Sequence, residues 1–157
     1  MNARDFFTTL NEARIPYVVV YGFRGLPENS PSGILLLTTQ KNTIVNMGRL
    51  VKLDGNRYKL PFDNEPDEPG LTIELVVKGN GRWPDRFEAE MLSNAEIHNT
   101  LIKVPPHDVR AFAYLYEDLY RNDLFHGDWE KRSVLTRVVS DRVGPPTPYE
   151  GLPCHSK

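Results

Sequence analysis

Apolar residues in this chain recur first at helical spacing and then in short unbroken runs. Phe6, Phe7, Leu10 and Ala13 share one face of a helix predicted from Asn2 to Arg14, with Asn2 as its cap and Asp5 three residues on. Pro16 ends it. Tyr17-Val-Val-Val-Tyr21 and Ile34-Leu-Leu-Leu-Thr38 show no polar alternation and read as buried strands. Residues 22–33 between them hold three glycines and two prolines and read as loop. A helix is predicted over Thr39 to Met47, with Thr39 as cap. Strands follow at Arg49 to Leu53 and Asn56 to Phe62, around an Asp54-Gly55 turn. The acidic, proline-broken run Asp63 to Gly70 is a loop, and Leu71 to Val77 is a strand with Glu74 in its middle. After the turn Lys78-Gly-Asn-Gly-Arg82, Pro84 opens a helix to about Ala95, with Phe87, Met91 and Leu92 on one face. Leu101 to Val104 is extended. His107 to Arg121 is the clearest helix, its apolar face set by Phe112, Leu115, Tyr116 and Leu119, and Asp128 caps a last helix to about Val143.

This order of elements points to an α/β or α+β sheet with helices packed on it, and of the two the α+β form is expected: a mixed β-sheet with helices packed on it and a helical C-terminal part. Residues 1–143 read as a single domain and 144–157 as a proline-rich tail, and 157 residues suffice for a core without disulfide staples. The one cysteine, Cys154, excludes a disulfide framework and, in such a tail, lacks surroundings that would activate it as a nucleophile. With 19 Lys+Arg against 21 Asp+Glu, the formal net charge of −2 predicts no nucleic-acid partner. No segment approaches the apolar length of a membrane span, and the N-terminal residues lack a signal-peptide run, so a cytoplasmic protein is expected.

Two segments carry a resemblance. One is Leu10-Asn-Glu-Ala-Arg-Ile-Pro-Tyr-Val-Val-Val-Tyr-Gly-Phe-Arg-Gly-Leu-Pro-Glu, followed after a loop by Gly33-Ile-Leu-Leu-Leu-Thr. The other is Ile73-Glu-Leu-Val-Val-Lys-Gly-Asn-Gly-Arg-Trp, then Glu90-Met-Leu-Ser-Asn, Lys103-Val-Pro-Pro and Ala111-Phe-Ala-Tyr-Leu-Tyr-Glu-Asp-Leu-Tyr. The first resembles the opening of a nucleotidyltransferase-fold (polymerase-beta-like) domain. The second is similar to the downstream half of nucleotidyltransferase-like proteins found beside surface-polysaccharide genes in bacteria and large viruses. The resemblance rests on the order of the segments across residues 1–140 more than on any single motif.

That resemblance implies a definite chemistry. Nucleotidyl transfer uses Mg²⁺ held by carboxylates, two from alternate positions of one strand and a third from a neighbouring strand. In this chain the alternate pair falls at Gly33 and Leu35, neither of which binds a metal, and Glu74 stands where the third acid is expected. The resemblance therefore implies the fold without its metal site and without a cofactor, Mg²⁺ being called for only if the chain is an active transferase.

Glu74 is the candidate catalytic residue. In an alternating strand with Thr72 and Val76 it either faces solvent or is the remnant of a site, because a buried unpaired carboxylate is costly. Gly22-Phe-Arg-Gly25 and Lys78-Gly-Asn-Gly-Arg82 are either plain turns or cradles for an anionic ligand, which makes Gly22, Arg24, Lys78 and Arg82 the candidate binding residues. His126 and Asp128 form too sparse a set for a metal, and Tyr114, Tyr116 and Tyr120 read as core and rim aromatics. Three functions follow as expectations. The first is a catalytically degenerate domain that binds a nucleotide, a glycan precursor such as a sugar nucleotide, or a protein partner. The second is an active transferase of surface-polysaccharide metabolism, and the third a structural or assembly protein of a virus or phage.

Overall fold

A computed structural model describes residues 1–28, 33–62 and 70–149. The elements are α1 (Ala3–Glu12), β1 (Tyr17–Tyr21), β2 (Ile34–Thr38), α2 (Lys41–Gly48), β3 (Val51–Asp54), β4 (Arg57–Leu60), β5 (Leu71–Val77), α3 (Asp85–Ser93), β6 (Glu96–His98), β7 (Ile102–Val104), α4 (His107–Tyr120) and α5 (Trp129–Arg142). Five strands make one mixed sheet in the order β1-β2-β5-β4-β3, in which β2 and β5 run parallel and the other pairs antiparallel. A separate ribbon, β6-β7, lies beside β1, where the Lys103 amide donates to the Tyr17 hydroxyl at 3.4 Å. The fold is α+β, and no described helix is long and apolar enough to cross a membrane.

The unbroken apolar runs are explained by burial on both faces. Tyr17, Val19, Ile34, Leu36, Leu71, Ile73 and Leu75 point to one layer, filled by Phe6, Phe7 and Leu10 of α1 and Ile44 of α2. Val18, Val20, Leu35, Leu37 and Val76 point to the other, filled by Phe87 and Met91 of α3, Val109, Ala113, Tyr116 and Leu119 of α4, and Val139 of α5. Asn2 and Asp128 cap α1 and α5 through their side chains, accepting from the Asp5 and Lys131 amides at 2.8 and 3.1 Å.

Several local readings shift. Thr39 is not a cap: the Thr38 hydroxyl accepts the Gln40 amide at 3.0 Å, and α2 begins at Lys41. The strand read from Arg49 begins at Val51, because Arg49 takes a left-handed φ of 50° to close α2. Asp54 pairs with Arg57, so the hairpin turns on Gly55-Asn56 rather than Asp54-Gly55. Helix α3 stops at Ser93, and residues 96–98 form a strand that propensity does not signal, since its turn uses Asn99 and Thr100 at φ 51° and 58° with no glycine. Ala13 is exposed, and α4 turns Val109 and Ala113 inward, leaving Phe112 and Leu115 half-buried. The Asp63–Gly70 loop, apart from Gly70, and Cys154 lie outside the described residues.

Candidate functional site

Register across the sheet places the site. Tyr21 pairs with Leu35, Leu35 with Glu74, Glu74 with Arg57, and Arg57 with Asp54, so five side chains from five strands form one row. Leu35 is 3% exposed and belongs to the apolar layer under α3 and α4. Glu74 neither faces open solvent nor lies unpaired. It is half-buried, and the Arg82 Nη1 donates to its Oε2 at 3.0 Å.

Arg82 is the centre of the site. It comes from the turn between β5 and α3, is 5% exposed, and donates through Nε to Glu117 Oε1 on α4. One guanidinium thus ties a strand, a turn and a helix together. Its flat faces lie against aromatic rings, 5.5 Å from Trp83 and 5.3 Å from Tyr149. Burial works to lower the Arg82 pKa, but the charges of Glu117 and Glu74 outweigh it and hold it above the ordinary value. Glu117 is itself pushed up by burial, with Arg82 drawing it back. Tyr21 stacks on Tyr114 at 4.9 Å, and burial, with Glu117's charge, raises its phenol well above the usual range.

The remaining predicted residues are placed as follows. Lys78 pairs on the outside of the turn with Asp85 at 2.6 Å. Gly22 follows β1 with a φ of 82°, and Arg24 is exposed in the next turn, its charge and that of Arg110 acting on Tyr114. The fold therefore brings Glu74 and Arg82 into contact, while Gly22 and Arg24 sit at the end of β1 next to Tyr21. Of the wider pattern, Glu117 was legible only as a surface acid, yet it lies four residues after Ala113 and eight after Val109, within the buried stripe of α4. Arg121, one turn further, is 6% exposed, and residues 144–149, though without regular structure, pack over both arginines.

The turn itself is built around Glu88. Its side chain is fully buried on α3, and its two oxygens accept the Gly79 and Trp83 amides at 2.9 and 3.4 Å. Burial raises its pKa from 4.5 to about 7, the two amides, and Lys78 more weakly, pulling down against Asp85 pushing up. Between those values the folded chain holds a proton the unfolded chain has released, so this carboxyl withdraws stability as pH rises from 4.5 through 7. The expected size is on the order of 3 kcal/mol. Urea melts at pH 4.5 and pH 8 should differ by that much less in Glu88→Gln than in the native chain; equal differences would refute the assignment.

Chemically, the row does not suit Mg²⁺. A leucine stands beside Glu74, and the carboxylate that remains is engaged by a guanidinium, whereas the ion asks for several free oxygens. Among the described residues no three His, Cys, Asp or Glu side chains gather where a metal could be held. What the arrangement offers is a buried guanidinium, flanked by Trp83 and Tyr149 and neutralised by Glu74 and Glu117. No protein-family model matches the chain, and no curated protein matches it.

Proposed function

We propose that the chain is a nucleotidyltransferase-like domain that has given up catalysis and works by binding a nucleotide, a glycan precursor or a protein partner. The observation that carries this reading is the state of Glu74: the carboxylate expected to serve a metal is instead neutralised by Arg82, in register with Leu35. The parallel pairing of β2 with β5 supports it further, since a third acid on a strand adjoining the acid-bearing strand is the arrangement the resemblance implies. Transfer catalysis draws much of its rate gain from preorganised charge, and an acid already compensated lends none to a metal.

Calorimetric titration with nucleoside triphosphates and sugar nucleotides, each with and without Mg²⁺, tests the proposal. Binding indifferent to Mg²⁺ is expected. Metal-dependent binding weakened by Glu74→Gln would overturn it in favour of an active transferase. No binding by any of them would leave a protein partner as the ligand, to be sought by crosslinking.

A further inference from the structure

Two exposed regions of the chain carry opposite charge, and each also holds large apolar side chains out in water. The first is the β3-β4 hairpin. Val51 and Leu53 are 54% and 46% exposed and join neither apolar layer of the sheet. β3 ends the sheet with no described strand on its outer side, and all four of its residues are exposed. Residues 49–60 hold Arg49, Lys52, Arg57 and Lys59 against the single acid Asp54, which Arg57 already meets at 3.1 Å. No described carboxylate forms an ion pair with the other three cations.

The second region is the connection from α4 to α5. Leu124 and Trp129 are 62% and 74% exposed. Asp118, Asp123, Asp128 and Glu130 stand around them in the chain. Of the nearby cations, Arg132 reaches Asp123 at 3.9 Å, and Lys131 lies over the Phe125 ring rather than on a carboxylate. Glu117 and Arg121 are both buried and add nothing to this surface. Acids therefore outnumber cations here, as cations outnumber acids on the hairpin. Neither region covers the other within one chain, as their exposure shows.

We propose that the chain associates with copies of itself, the acidic Leu124–Trp129 surface of one copy docking on the basic β3-β4 hairpin of the next. The apolar side chains of the two surfaces supply burial, and the opposite charges orient them. Trp129 also offers a ring face to the hairpin's cations. Two hairpins, or two acidic connections, would meet with like charges opposed, so the contact joins unlike surfaces. Such a contact is heterologous: repeated, it closes a ring or runs on as an open chain. The inference stands on these two surfaces and does not require the kinship proposed above.

Sedimentation velocity of the full chain over a range of concentrations, at low ionic strength, is the test. Association should rise with concentration, pass beyond a dimer and weaken as salt is added. Trp129 emission should shift to the blue as this happens, Trp83 being fully buried already. Leu53→Glu on the hairpin and Trp129→Ser on the connection should each weaken association about tenfold or more. Both positions are exposed, so circular dichroism should stay native; Lys59→Glu and Leu124→Ser replace either variant that does not fold. Mixed together, the two variants should form a dimer that grows no further, since each keeps the surface the other lacks. A native chain that stays monomeric, a single variant that associates like the native chain, or a mixture that does not pair would each overturn the proposal. Association only after the acids of residues 63–69 are removed would give the hairpin to that run instead, and would overturn it too.

Discussion

Replacing Arg82 with methionine is expected to be among the most damaging single changes in this chain, at about 3–5 kcal/mol. Methionine keeps much of the side-chain volume but removes the cation that faces Glu117 and Glu74. Glu117 is 5% exposed, so without Arg82 its carboxylate is left buried with only the charge of Arg121 and no paired cation, or is forced to take up a proton. Glu74 suffers less, because 28% of its side chain reaches solvent. The double variant Arg82→Met with Glu117→Leu should recover most of the loss, since an ion pair replaced by apolar groups is often neutral in stability. Urea unfolding of the native chain, the two single variants and the double variant forms the cycle. A double variant no more stable than Arg82→Met would show that the pair is not what holds this site together.

The second large effect concerns the row across the sheet. Gly33→Asp with Leu35→Asp, the change that would rebuild an acid pair beside Glu74, is expected to abolish folding rather than create a metal site. Leu35 is 3% exposed, and its burial contributes about 1.5–3 kcal/mol that aspartate gives up. The new carboxylate would also be desolvated next to the like charge of Glu74, its direct neighbour in register. At position 33 the φ of 79° disfavours a side chain, and a Cβ would lie 2.8 Å from the Thr72 carbonyl oxygen, which is backbone and has little room to give. Together these approach the whole stability of a domain, roughly 5–15 kcal/mol. Circular dichroism melts are the check, and a double variant melting within a few degrees of the native chain would refute this account of the row.

What could be read from the residues follows the strength of each local signal. The unbroken runs at Tyr17–Tyr21 and Ile34–Thr38 and the alternating run at Leu71–Val77 match the strands residue for residue, because burial on two faces or one leaves a distinct pattern. The caps at Asn2 and Asp128 were legible for the same local reason. Of the ribbon, β7 was legible as the extended piece Leu101–Val104, but β6 was not, since a three-residue strand and a turn of Asn99 and Thr100 carry almost no periodicity. At the site, Glu74 stood out as a charge in an apolar strand, and Arg82 as a cation in a glycine-rich turn. Their contact, and the parts played by Glu117, Glu88 and Arg121, depend on elements far apart in the chain. A buried acid on a helix looks like a surface acid until its position is counted from the apolar stripe.

The sheet order also bears on how the chain reaches this structure. The parallel pair β2-β5 joins Leu35 to Glu74 across a long stretch of chain, and closing such a loop carries an entropy penalty before any contact rewards it. The β3-β4 hairpin lies inside that stretch and closes through a short local turn, after which β5 adds to its free side at Leu60–Leu71. Local pairing is expected to precede non-local pairing, so this hairpin is expected to assemble early and to leave β2 a three-stranded template to find.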